Sequence, residues 1–216
     1  MRARLAVLGA GMLAALGGCV SGLHSSLPEE RTYLLLAGAP AAARPAAPDR
    51  AAAADAPVLR VLTVEAAPGR DTDRILLLQP ERRLTAYQAS RWAAPLPALL
   101  QAAAVETLRG QGSWRTVEDA RGSAVADYTL QLTIRRFEAE DSGAQPPLVQ
   151  IGIDAILQRR GESLAASFAV DRSARAAENR LGAIVEAFAA ATDEALEEVG
   201  RRCAQELRTS TARSPP

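Results

Sequence analysis

Cys19 and Cys203 are the two thiols of the sequence and His24 is its one imidazole, and their positions decide which chemistry is open to the chain. Cys19 follows Leu16, Gly17 and Gly18. Two residues without bulky side chains let a peptidase grip an extended backbone. His24 sits in the same N-terminal segment, so the body of the chain has no imidazole. That excludes Ser-His-Asp and Cys-His machinery there and removes the commonest zinc ligand. Carboxylates could still act as acid and base, but no pattern singles out a pair. Were Cys19 modified, Cys203 would have no thiol to pair with, and no disulfide framework would be possible. Cys203 falls on the apolar stripe of an expected helix, which predicts a buried, inert thiol.

The residues before Cys19 read as a targeting segment. Met1-Arg2-Ala3-Arg4 is basic, and an apolar run follows from Leu5 to Leu16. At about 12 residues the run is too short for a bilayer that needs roughly 20 in a helix, so it is the core of a signal peptide over residues 1–18. The mature chain is expected to have no transmembrane helix. Leu16-Gly17-Gly18-Cys19 resembles the bacterial lipobox, which makes Leu16, Gly17 and Gly18 the peptidase recognition residues and Cys19 the lipidation site. Diacylglycerol and N-acyl lipid on Cys19 would anchor the chain, since burial contributes about 0.8 kcal/mol per methylene and several chains hold where one does not. No other cofactor and no metal site are expected. Resemblance to other lipoproteins implies an outer-membrane address on the periplasmic face, because Val20 and Ser21, not Asp, follow the cysteine.

Composition narrows the rest. The 25 basic and 25 acidic residues balance, and every basic residue is arginine. Neutral balance without a basic cluster argues against nucleic acid as a partner. No Gly-rich loop ending in Gly-Lys-Ser/Thr is present, so the chain is not expected to hydrolyse ATP.

The elements follow from periodicity. Residues 19–30 read as a lipidated tether, small and polar and ending near Pro28. A first strand is expected at 32–36. Residues 37–57 are almost entirely Ala, Pro, Arg and Asp, too poor in large apolar groups to offset the entropy of ordering them, and read as a mobile loop within a domain spanning 31–208. So long a loop could instead mark the true end of the tether, and burial of Tyr33 and Leu35 is the test. Strands are expected over 58–64, 75–78 and 84–87, the last two as a hairpin turning at Pro80. A helix is expected from about Pro95 to Leu108, stopped by Gly110 and Gly112. Residues 114–117 form a short strand.

The clearest alternation runs over 127–137, with Tyr128, Leu130, Leu132 and Ile134 on one face. A connection through Asp141-Ser142-Gly143 and Pro146-Pro147 leads to a second alternating strand at 149–157, and Gly161 turns the chain into a third at 164–170. Short turns between them predict an antiparallel meander. An amphipathic helix from about Glu178 to Leu207 carries Ile184, Phe188, Leu196, Val199 and Cys203 on its apolar stripe. Its polar face is not strongly basic, so it should dock on the sheet and not on lipid. Residues 209–216 read as a disordered tail. The fold class is α/β in the α+β sense: one domain, a mixed and mostly antiparallel sheet, two main helices packed on it.

The lipobox, Tyr33-Leu34-Leu35, and the block from Ile75-Leu76-Leu77-Leu78-Gln79 through Arg91-Trp92-Ala93-Ala94-Pro95-Leu96 together resemble the ABC-type transport auxiliary lipoproteins. In that family a short strand pair precedes a Trp-Ala-x-Pro-Leu entrance to a helix, then come a sheet and a C-terminal helix. Arg91, Trp92, Pro95 and Leu96 carry the motif, and Trp92 reads as a core anchor at the helix start. The resemblance implies an outer-membrane partner of a transporter with an MCE-type periplasmic subunit, a permease and an ATPase, moving phospholipid or other hydrophobic substrates. It implies no enzymatic activity. A lipid-tethered structural or regulatory protein that binds another envelope component, such as a cell-wall synthase, is the first alternative the residues leave open; a carrier that itself encloses lipid and an enzyme built on a carboxylate pair are the others.

Overall fold

The structure, a computed structural model, describes residues 29–35, 56–162 and 164–213. Nine strands form one sheet, interrupted in sequence by two helices. In order they are β1 (Arg31–Tyr33), β2 (Val58–Val61), β3 (Glu65–Ala66), β4 (Arg74–Gln79), β5 (Arg83–Trp92), α1 (Leu96–Gly110), β6 (Thr116–Glu118), β7 (Tyr128–Ser142), β8 (Gln145–Arg159), β9 (Ala166–Arg175) and α2 (Leu181–Arg213).

β7 is the spine. One of its edges pairs with β8 along its whole length, antiparallel, and β9 continues that meander beyond β8. The other edge takes β2, β3 and β4 in succession, all parallel to it. Outside β2 lies β6, and outside β4 lie β5 and then β1. The long ladders are antiparallel and the short ones parallel, which is the mixed, mostly antiparallel sheet that the alternation predicts.

Burial explains why β7 is a strand and where it changes face. Tyr128, Leu130, Leu132 and Ile134 are all buried on the helix side. Ile134 then pairs with Ile153 and Arg136 with Gly152, so Arg135 is an extra residue, a β-bulge. The inserted residue shifts the phase: Phe137 and Ala139 take over the buried positions, and Arg135 and Arg136 both stay on the open face. On β8, Val149, Ile151, Ile153, Ala155 and Leu157 are buried without interruption. The helices close the core over this side, with Leu96, Leu100, Ala104 and Leu108 from α1 and Ile184, Phe188, Leu196, Val199 and Cys203 from α2.

Several expected boundaries are corrected. Regular pairing in β1 ends at Tyr33, yet Leu35 is buried and Tyr33 packs on the core. The domain therefore includes this segment. Of the loop expected at 37–57, residues 37–55 lie outside the described residues. Of the strand expected at 58–64 only Val58–Val61 forms β2, and β3 (Glu65–Ala66) follows beyond its expected end. The short strand expected at 114–117 begins at Thr116, and the third meander strand begins at Ala166 and extends to Arg175. Pro146 and Pro147 belong to β8, not to the connection, and sit at a register irregularity between the Glu140–Leu148 and Ser142–Gln145 pairs, where the ladder does not demand their missing N–H groups. α2 starts at Leu181 and runs to Arg213, so residues 209–213 of the expected tail are helical. Tyr128 ties that last turn to β7, its hydroxyl 3.1 Å from Ser210 Oγ.

Candidate functional site

The residues singled out from the sequence fall in two places. Leu16, Gly17, Gly18 and Cys19 lie outside the described residues, as does His24. Arg91, Trp92, Pro95 and Leu96 come together where the segment carrying β1 joins the sheet. β1 runs beside the end of β5, Thr32 opposite Arg91 and Tyr33 opposite Trp92. Three backbone bonds close the corner: Ala93 N–H donates to Tyr33 O at 2.8 Å, Trp92 N–H to Asp73 O at 2.7 Å, and Leu96 N–H to Thr72 O at 3.0 Å. β1, β4, β5 and α1 therefore meet at this hexapeptide.

Each motif side chain has a local reason. Trp92 is 1% exposed and stands edge to face against Phe137 and Phe188, with centroids 6.2 and 5.4 Å away. Pro95, at φ −53°, ends the extended chain, and Pro97 follows in the first turn of α1, where a missing N–H breaks no helical bond. Leu96 is buried beneath the helix. Arg91 turns outward to Asp73, at 3.3 Å, and to Glu30. Glu30 also lies 3.7 Å from Arg74, so the residue just ahead of β1 is held by two arginines.

Burial shifts two titratable side chains of the body. Burial pushes the Cys203 thiol up to about 12, with Glu206 adding to the rise, so it stays protonated at neutral pH. Burial, then the charge of Asp141, raises the Tyr87 phenol to about 12. Among the described residues no group of three or more His, Cys, Asp or Glu could hold a metal ion, and no helix is long and apolar enough to cross a membrane. Two open clefts, of about 680 and 690 Å³, each contain an ion pair in their lining. In the first Arg160 meets Asp127 at 2.8 Å, and in the second Arg202 meets Glu198 at 2.7 Å.

What the sequence did not disclose is how the polar residues are used. Glu138 is 2% exposed on the open face of β7, covered by the loop after β3, and Arg70 of that loop grips it with Nη2 at 2.9 Å and Nε at 3.3 Å. Beside it, Asp171 on β9 accepts from Arg136 Nη2 at 2.9 Å and Arg135 Nη2 at 3.0 Å. These side chains lie over Gly152, where a Cβ would come within 3.0 Å of Asp171 Oδ1. On β9, carbonyls of the edge not paired with β8 are taken by arginines: Arg202 donates to Ala169 O and Arg172 to Asp171 O, the latter at 2.8 Å. The signal for these contacts is the arginine-rich composition alone, which names no partners.

Comparison with known proteins agrees with this architecture. Protein XCC0632 from Xanthomonas campestris superposes with a TM-score of 0.71 at 21% identity, over 84% of this chain and 99% of that one. A crystal structure of an uncharacterized protein gives 0.63 at 16% identity, over 81% and 99%. At these identities the likeness speaks to the fold. No curated protein matches the chain. A family model, described as the ABC-type transport auxiliary lipoprotein component, matches residues 33–204, from the end of β1 to the later turns of α2. The chain belongs to the ABC-type transport auxiliary lipoprotein component family.

Proposed function

We propose that the mature chain, acylated on Cys19 and held on the periplasmic face of the outer membrane, serves as the non-catalytic docking component of an MCE-type ABC transport system. Its partners are the periplasmic MCE-type subunit with its permease and ATPase, and the cargo is phospholipid or another hydrophobic substrate. The observation that carries this reading is the family match over 33–204, which takes in both the motif corner and the sheet. The clamp at Glu30 leaves only residues 20–29 between Cys19 and the held segment, a reach of at most roughly 40 Å fully extended. A domain so confined has a high effective concentration for a partner crossing the periplasm, so tethering can replace part of the intrinsic affinity.

The test is purification of the lipidated protein from its native envelope in mild detergent, with mass spectrometry of what accompanies it and Cys19→Ala as the mislocalised control. We expect the MCE-type subunit with its permease or ATPase, weakened in the control. Recovery of cell-wall enzymes alone would replace the transport reading with the regulatory one.

A further inference from the structure

β6 accompanies β2 only as far as the Arg60–Glu118 pair and then leaves the sheet. The chain after β2 continues along β7 without it. Leu62 N–H donates to Leu130 O at 2.9 Å, Glu65 and Ala66 pair with Thr133 and Ile134, and Ala67 N–H donates to Ile134 O at 2.8 Å. Among the described residues no strand lies on the other side of 62–66. The lane that β6 occupies beside β2 is open beside β3.

A groove follows that open lane. It has two sections of about 430 and 560 Å³ that share Thr63, Ala98 and Gln101. Its α1 wall carries Ala98 and Ala102, exposed one helical turn apart, with Val105 buried beside them, Gln101 between them, and Glu106 and Arg109 toward the β6 end. A strand placed in the lane would extend the line of β6 and lay alternate side chains against these alanines.

Charge distinguishes the two ends. Where β6 leaves, Arg109 pairs with Glu106 at 3.3 Å and Arg121 with Asp119 at 3.0 Å. At the other end Glu65 and Asp71 are both exposed, no basic residue lines the section, and among the described residues neither carboxylate has a hydrogen bond or ion pair. The β9 edge, by contrast, has the Ala169 and Asp171 carbonyls occupied by Arg202 and Arg172. Of these two edges, the one beside β3 is unguarded and charge-biased.

We infer that the edge at 62–66 and the α1 groove beside it receive an extended segment of a protein partner. That segment adds as a strand collinear with β6, places small or apolar side chains on Ala98 and Ala102, and directs a basic side chain to Glu65 and Asp71. Assigning the segment to a transporter subunit rests on the function proposed above.

The test uses the lipidated mature chain in mild detergent and a fluorescein-labelled peptide, Arg-Val-Ala-Val-Ala-Val, read by anisotropy. Its counterpart beginning with Glu should bind about tenfold more weakly, and N-methylation of the amides on one strand edge should cost a similar factor, while methylation of the other edge should not. Ala102→Arg should abolish binding, and the double variant Glu65→Gln, Asp71→Asn should make the two peptides equal. Ala169→Arg on β9 should change nothing. No saturable binding of the Arg peptide, indifference to N-methylation, or binding retained by Ala102→Arg would overturn the inference. Co-purification separates it from the transport reading: if Ala102→Arg still recovers the MCE-type subunit, the groove fails and the function stands. If the peptide binds but the wild-type chain recovers no transporter component, the groove stands and the function fails.

Discussion

The indole of Trp92 meets the ring of Phe188 edge to face at 5.4 Å, and Phe188 in turn stacks on Phe137 at 5.0 Å. One residue from the family motif, one from α2 and one from the spine strand thus form a single aromatic cluster. Trp92→Ala removes its largest member from a site that cannot collapse around the loss, and should cost about 3–5 kcal/mol by denaturant titration. Trp92→Phe should cost clearly less. Because Trp92 N–H also fixes the Asp73 corner through the backbone, either variant that folds should still co-purify with its partners. Loss of partner recovery from a fully folded Trp92→Phe protein would instead make this residue a contact site.

Arg70 and Glu138 make the deepest charge pair described on the open face, with side-chain exposures of 20% and 3%. Removing Arg70 leaves the buried carboxylate with the Phe137 N–H, 2.7 Å away, but no opposite charge, so Arg70→Ala should lose about 3 kcal/mol. Replacing both partners by apolar residues of similar size, Arg70→Met with Glu138→Leu, should recover part of that, the remainder being the Phe137 N–H left without its acceptor. Equal losses in the single and double variants would show that the pair holds the loop by something other than charge.

The long strands were legible because β7 and β8 each bury one face against helices, and period-two alternation records that directly. The bulge at Arg135 was not, since an extra residue acquires meaning only opposite Gly152. β3, two residues long, is a strand only because β7 lies beside it. The motif corner was readable as Trp92 anchoring a helix start, for an indole beside Pro95 and Leu96 has few other placements. The open lane at 62–66 was not readable at all, because it depends on where β6 stops.

The β4–β5 turn stores strain that local sequence can relieve. Glu81 and Arg82 both have φ of 62°, the left-handed region that glycine and asparagine tolerate best. Neither side chain is buried. Arg82→Gly, or Glu81→Asn, should therefore raise the unfolding free energy by up to about 1 kcal/mol, with a matching rise in Tm. A lowered Tm in both would mean that these side chains make contacts that outweigh the backbone relief.

Acid should weaken the fold through two carboxylates. Hydrogen bonds from Arg136 and Arg135 hold Asp171 below its usual range, and bonds from Arg202 and Arg201 do the same for Glu198. A carboxylate depressed in the folded state contributes stability that is complete above the unfolded value, near about 4, and is lost as pH falls through the folded one. Thermal unfolding followed between pH 7 and the acid limit should show this decline, shallower in Asp171→Asn and in Glu198→Gln. An unchanged acid limb in both variants would remove these groups from the account.

The arginines on β9 lead to a prediction about solubility. A ten-residue edge strand with free carbonyls is a template for pairing with another chain, and natural sheets blunt such edges with charge. Arg202 also lies over the Phe168 ring at 5.4 Å, so it covers apolar surface as well as Ala169 O. The double variant Arg172→Ala, Arg202→Ala should keep its secondary structure yet self-associate at concentrations where the parent does not, as seen by light scattering after size exclusion. Arg202→Lys should protect only in part, because an ammonium lacks the planar fork that can bond a carbonyl while lying on a ring. If the double variant scatters like the parent, the β9 edge is guarded by its twist or its exposed polar side chains, and the guanidinium contacts serve only to seat α2.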